Sequence, residues 1–486
     1  MRLRSIRGFL CPISSHFLSP LELLSESERY VDMNYEEALQ YMDGRLRFGW
    51  KLGNERMEHA CELLGNPQLK AKVVHIAGTK GKGSTTALCA RILCEAGYSV
   101  GSYFSPYVYD VRERIQIGGE MISRDDFALM MTEMRPAVDS FDESEWGPIT
   151  EFELKTLLAF VYFAHKGVDF AVIEVGLGGR LDATNVVHPL VTAITNIGLD
   201  HTDILGDTHA KIAFEKAGIL KRGVPIFTGA QNEEALTVIR ERANSMNAPL
   251  THIVEGGQPE SGRICWSLSA ENSESEQTAN ISVVTPSHRY TDLRVGLVGR
   301  YQRENAALAV AVAESAVELC GEELEEEAIR RGLESARLPG RFEMFTLPNG
   351  ALVVLDGAHN EMAGRALRGA LDTVRRENRI QRTLFVMGIM TGHAPGGVLS
   401  ALAEGVAALY ACRADWRRAM PSSELSETAR NYVADVRDCG TVEAAIRAAL
   451  NDLQPADMLL VSGSFYVVGE ASPERIQEWY KGRSGE

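Results

Sequence analysis

The chain has 486 residues, 45% hydrophobic and 24% charged, with a formal net charge of −16. That length exceeds what one hydrophobic core supports, so two or three domains are expected. The acidic balance argues against non-specific nucleic-acid binding, which needs basic surface to release counterions, and no apolar run approaches the roughly 18 residues of a membrane span.

In chain order, Arg2, Arg4 and Arg7 with several serines and no acid before Glu22 give residues 1–33 the composition of an organellar presequence. A disordered or mis-assigned N-terminal extension is the preferred reading of the same stretch. The folded part is expected from about Asn34, with helical patterning over 35–41 and 56–64. A strand over 73–76 leads into Gly78–Thr79–Lys80–Gly81–Lys82–Gly83–Ser84, and a helix then runs to Ala96 and stops at Gly97. Further strands are read at 100–104, 170–175, 190–196 and 225–228, with helices at 154–165 and 233–244. Residues 255–290 turn polar and read as a strand-and-loop excursion of the same domain, and a helix follows over 304–319. Pro339–Gly340 marks a linker, after which strand–helix alternation restarts: strand 352–355, helix 362–375, strand 383–387, helix 397–408, strand 458–461. This alternation predicts mostly parallel sheets with ligand groups at the carboxyl ends of the strands. The eight cysteines form no C-x-x-C pair, so neither a zinc site nor a disulfide framework is suggested; reduced thiols in a cytoplasm fit best.

The glycine-rich turn carries the strongest chemical signal. Gly78, Gly81 and Gly83 let backbone N–H groups close around phosphate oxygens, Lys82 can reach the β/γ-phosphates, and Ser84 starts a helix with an electropositive end. The spacing departs from G-x-x-x-x-G-K-[ST], because Gly83 separates Lys82 from Ser84. Glu174 closes an apolar strand beside a second glycine-rich turn, which suits Mg²⁺; a solvated strand-end acid is the plain alternative. His201 follows the strand over 190–196 and falls on the same expected sheet edge as Glu174 and Lys82. Lys216 lies in the last turn of an expected helix, where a lysine complementing the helix dipole is the simplest reading.

Beyond these, the chain carries Ser105–Pro106 with Glu113–Arg114, Thr150–Glu151–Phe152–Glu153, the run from Glu174 to Asn185, Leu199–Asp200–His201, Glu215–Lys216–Ala217–Gly218, Pro339–Gly340–Arg341, Asp356–Gly357–Ala358–His359–Asn360 and Gly463–Ser464–Phe465. In this order, over about residues 34–470, the set resembles the folylpolyglutamate synthase/dihydrofolate synthase branch of the Mur ligases. The resemblance implies a P-loop-containing, mostly parallel α/β sheet domain of the Mur ligase central-domain type over 34–338. A smaller Rossmann-like α/β glutamate ligase domain would follow over 339–486. It implies that Gly78 to Ser84 hold the ATP phosphates, that Ser105, Glu174 and His201 hold Mg²⁺, and that Lys216 is carbamylated beside a second metal. Lys82, His201 and Lys216 are thereby the catalytic candidates. Asn305, Arg341, Asp356 and His359 match nucleotide contacts. Thr150, Glu151, Phe152, Glu153, Leu181, Asp182 and Ala183 match the pterin pocket, and Arg114 joins them as a substrate contact.

The implied reaction is ATP-dependent ligation of L-glutamate to dihydropteroate or tetrahydrofolate through an acyl phosphate, by a bifunctional, monomeric, cytoplasmic enzyme without nucleic-acid or membrane partners. Two departures stand out: Lys80 replaces an asparagine, and Tyr107 replaces the histidine of Ser-Pro-His. One competing reading is a Mur-type ligase acting on a cell-wall precursor, for whose uridine-nucleotide domain the chain has no room. The other is a non-catalytic nucleotide-binding switch.

Overall fold

The apolar runs become strands buried on both faces, the burial that parallel strands between two helical layers require. All five residues of Phe170–Glu174 are buried, as are residues 73–77. The computed structural model describes residues 32–49, 51, 53–269 and 279–483. The expected extension over 1–33 therefore lies outside the described residues except for Asp32 and Met33.

Eleven strands form the first sheet: β1 (Lys72–Ala77), β2 (Val100–Tyr103), β3 (Ile115–Ile117), β4 (Glu120–Met121), β5 (Phe170–Glu174), β6 (Pro189–Ile194), β7 (Ile226–Thr228), β8 (Leu250–Glu255), β9 (Arg263–Leu268), β10 (Ile281–Val284) and β11 (Arg289–Leu293). Their spatial order is β11-β10-β9-β8-β7-β6-β1-β5-β2-β3-β4. The block from β9 to β2 is parallel, and antiparallel ribbons close both edges. One face is covered by the helices Lys82–Glu95 and Arg300–Glu318, the other by Tyr35–Gly44, Arg124–Asp139 and Glu151–Lys166.

Six strands form the second sheet: β12 (Glu343–Thr346), β13 (Leu352–Leu355), β14 (Arg382–Met387), β15 (Val406–Arg413), β16 (Val436–Thr441) and β17 (Asp457–Ser462), in the order β12-β13-β17-β14-β15-β16. All pairs are parallel except β12 with β13. The two-domain α/β architecture expected from the alternation is thus present.

Two local expectations fail. The helix read over 397–408 is a helix only over Pro395–Leu402; Gly405, at φ +76°, turns the chain into β15, whose Val406–Arg413 run is mostly buried. Three-residue spacing of apolar groups continues across that turn, so periodicity alone extended the helix. The P-loop helix starts at Lys82, not Ser84, with Gly81 as its N-cap. The polar stretch after residue 255 supplies β9, β10 and β11 and continues the first sheet.

Candidate active site

Neighbouring parallel strands β6, β1, β5 and β2 end on one edge of the first sheet, so the loops that follow them converge. After β1 comes the P-loop. Gly78 and Gly81 adopt φ of +148° and +87°, conformations that favour glycine. Space also demands glycine there: a Cβ on Gly78 would lie 1.8 Å from Thr195 Oγ1, and one on Gly81 2.3 Å from Asn305 Oδ1. The segment after β6 fixes the loop's shape. Thr79 N donates to the Asn196 carbonyl at 2.9 Å, Lys80 N donates to Asn196 Oδ1 at 2.9 Å, and Thr195 Oγ1 donates to the Lys80 carbonyl at 2.7 Å.

Lys82 and Lys216 meet on one backbone oxygen. Lys82 Nζ donates to the Gly78 carbonyl at 3.2 Å, and Lys216 Nζ donates to the same oxygen at 2.8 Å. Lys216 ends the helix His209–Lys216 and is buried, so its ammonium serves the P-loop rather than its own helix end. Burial, and next the Lys82 charge, push the Lys216 pKa down to about 7. Burial likewise lowers that of Lys82, with Glu174 opposing.

Glu174, at the end of β5, is buried and accepts the Ser105 N–H at 2.9 Å. Burial raises its pKa, against the charges of Lys82, Arg341 and Arg114. Its carboxylate also approaches the helix start, since a Cβ on Gly83 would stand 3.2 Å from Glu174 Oε2. His201 sits at φ +50° ahead of the short helix Thr202–Leu205. Partial desolvation lowers its pKa; Asp200 opposes, and Lys80, Lys82 and Lys216 add to the fall. The imidazole is thereby kept neutral near the loop lysines Lys80 and Lys82 and near Lys216.

The second domain completes the cleft. Arg341 stacks its guanidinium 3.8 Å from the Phe465 ring centroid, and burial lowers its pKa against the pull of Asp356 and Glu174. Asp356 accepts from Phe342 N at 2.8 Å and Ala358 N at 2.9 Å. His359 Nδ1 lies 2.8 Å from the Gly357 carbonyl; burial drives its pKa to about 4, with Lys80 among the contributors. A cleft lined by Gly83, Ser105, Glu174, Leu338, Arg341 and Phe465 joins the two domains.

The candidate acceptor residues Phe152 and Asp182 meet at Gly176, just past the end of β5. Asp182 is buried and accepts from Leu177 N at 2.8 Å and from Thr184 Oγ1 at 2.6 Å; burial raises its pKa. Phe152 packs where a Cβ on Gly176 would be 2.3 Å away. Leu181 is half-buried and Ala183 buried. Thr150 and Glu153 form the capping box of helix Glu151–Lys166, and Glu153 is further held by Arg56 at 2.7 Å. Glu151 pairs with Lys155. Sequence reasoning passed over Thr195, Asn196 and Lys155. The first two follow a buried strand at the sheet edge, which is a usable signal; a lysine inside an apolar helix is another.

Within the chain, the Mur ligase middle domain matches residues 76–313 and the Mur ligase glutamate ligase domain matches 340–465. The dihydrofolate synthase/folylpolyglutamate synthase of Bacillus subtilis (strain 168) is 36% identical over 442 residues, covering 90% of this chain and 98% of that protein. This chain belongs to that family. Other members agree: the folylpolyglutamate synthase of Lacticaseibacillus casei is 30% identical over 90% of this chain and 97% of its own length. Among solved structures, folylpolyglutamate synthase from Thermotoga maritima superposes with a TM-score of 0.79 at 32% identity, over 92% of this chain and 99% of that one. FolC of E. coli in complex with DHPP and ADP gives 0.77 at 30% identity, over 93% and 99%. Membership makes this chain an ATP-dependent acid–amino-acid ligase.

Proposed function

We propose that the enzyme joins L-glutamate to the carboxylate of both dihydropteroate and reduced folates, acting as dihydrofolate synthase and as folylpolyglutamate synthase. The observation that carries this reading is the meeting of Lys82 and Lys216 on the Gly78 carbonyl, beside the Glu174 carboxylate. A carboxylate resists attack by an amine because its leaving group would be oxide; phosphorylation by ATP supplies a good one. The P-loop amides and Lys82 bind the triphosphate and neutralise charge spreading over the transferred phosphoryl oxygens. The amine of glutamate then attacks the acyl phosphate, an amide forms and phosphate leaves.

The donor set suits magnesium in its chemistry: a buried carboxylate, the serine whose N–H binds that carboxylate, and an imidazole kept neutral. Glu174, Ser105 and His201 would hold the ion, which when bound supplies positive charge to the phosphates. Lys216, with its lowered pKa, is suited to carbamylation and would then offer a carboxylate to a second ion. Asn305 backs the loop at Gly81, and Arg341, Asp356 and His359 contribute from the second domain to nucleotide binding. Thr150, Phe152, Asp182 and Ala183 frame the pterin. Closure of the two domains excludes water from the acyl phosphate. The site needs no second copy, and a cytoplasmic monomer is part of the proposal.

The test is phosphate release with ATP, Mg²⁺ and L-glutamate, comparing dihydropteroate with tetrahydrofolate as acceptor. Release is expected with both, dependent on glutamate, and Lys82→Ala should lower it by at least about a hundredfold with an unchanged apo melting temperature. Release with only one acceptor would remove bifunctionality, and glutamate-independent release would remove the ligase reading.

A further inference from the structure

Between the phosphate end of the site and the pterin residues lies a pair of buried cations around one ring. The Arg114 guanidinium is 5.7 Å from the Tyr107 ring centroid and 5.6 Å from that of Phe152. The Lys155 ammonium is 5.2 Å from the same Tyr107 centroid. Only 7% of Arg114 and 3% of Lys155 are exposed, which places both charges out of bulk solvent.

The two are matched unequally. Asp43 and Glu151 both act on Lys155, which pairs with Glu151. Arg114 has no carboxylate within ion-pair distance among the described residues; it donates to the neutral Tyr103 hydroxyl at 3.3 Å, and its Nε is buried without a partner. The nearest sequence candidate, Glu113, is fully engaged by the N–H groups of Val108, Tyr109 and Asp110 at 2.8, 2.8 and 2.9 Å. Buried guanidinium groups are paired in nearly all folded proteins, so the unfilled valence points to an anion brought by a ligand. Arg114 acts on Glu174 at the phosphate end, while Lys155, on helix Glu151–Lys166, lies against the Tyr107 ring, and the two cations act on each other.

We infer that Arg114 and Lys155 form a carboxylate subsite that reads the second, non-reacting carboxylate of a glutamylated acceptor. This rests on the acceptor class proposed above. Dihydropteroate has one carboxylate, which must go to the phosphate end. A folate carries two on its glutamate: one reacts, and the other, at the opposite end of the same residue's short carbon chain, falls on the Lys155 side. Lys155 is then a specificity residue for chain extension, and Tyr107 spaces the two cations.

The experiment is equilibrium binding of pteroate and of pteroylglutamate to the apo-protein, without ATP. Wild type should bind pteroylglutamate about tenfold more tightly than pteroate. Lys155→Met should bring that ratio towards one and Lys155→Arg should restore it. Glu151→Gln, which removes the competing carboxylate, should raise the ratio, a change in a direction that misfolding does not produce. An unchanged ratio in Lys155→Met, or a fall in Glu151→Gln, overturns the subsite while leaving ligation intact. Failure of wild type to discriminate, or to bind either compound, overturns it as well; loss of ligase turnover with both acceptors in the separate phosphate assay would identify the acceptor reading itself as the fault.

Discussion

Lys216 holds an amine that its surroundings make reactive near neutrality. Burial first, then Lys82, bring its pKa from 10.5 to about 7. Addition of CO₂ requires the neutral amine, so wild-type activity in bicarbonate should rise about tenfold between about pH 6 and about pH 8, as the neutral fraction grows. Apo-protein stability should move the same way. Below about pH 7 the amine is charged folded and unfolded alike, and the native state bears the full cost of burying it. From about 7 up to 10.5 the native state sheds the proton first, so this group's contribution becomes more favourable as pH rises. Lys216→Ala should lose both slopes and most activity, with partial recovery on adding formate or acetate. A fully active Lys216→Ala would remove the carbamate. The phosphate loop and Glu174 were legible in the sequence because each signal is local: glycine spacing, or one acid ending an apolar strand. The Lys80–Asp200 ion pair at 2.9 Å was not, since its partners are 120 residues apart and only the packing of β1 beside β6 joins them.

At the scale of elements, helix Glu151–Lys166 shows how one motif serves two purposes. Thr150-x-x-Glu153 has the spacing of a capping box, and the structure has both reciprocal bonds. The reading of these residues as pocket lining was drawn from resemblance, while the cap could have been drawn from spacing. Their third partner could not: Arg56 arrives from helix Glu55–Leu63 and grips Glu153 through Nε at 3.0 Å and Nη2 at 2.7 Å. Both side chains are buried, so Arg56→Ala leaves a buried carboxylate with only the cap to hold it. A loss of about 3–5 kcal/mol is expected, read as a lower urea midpoint, and a loss below about 1 kcal/mol would mean the pair is solvent-relaxed. Elements at or next to sheet edges were the least legible. The short β3, β4 and β12 carry little apolar pattern, and β15 was hidden because its run follows a helix across one glycine.

Across the whole molecule, the charge of −16 coexists with a cationic centre. Lys80, Lys82, Lys216, Arg114 and Arg341 surround Glu174, Asp200 and Asp356, and the global sign keeps the exterior acidic while the cleft attracts phosphate. Two domains supply that centre. The Tyr109 hydroxyl donates to Glu343 at 2.6 Å, and Arg341 acts on Glu174 across the cleft, so the second sheet is docked where the phosphates would lie. The alternation of strands and helices announced both domains, but their docking depends on pairs from separate sheets that no local pattern encodes. In the proposed reaction this joint site activates a carboxylate by phosphorylating it. The direct measurement is turnover with dihydropteroate labelled with ¹⁸O in its carboxylate, followed by mass analysis of the phosphate released. Transfer of one labelled oxygen to each phosphate is predicted; unlabelled phosphate at full amide yield would contradict the acyl phosphate and the account built on it.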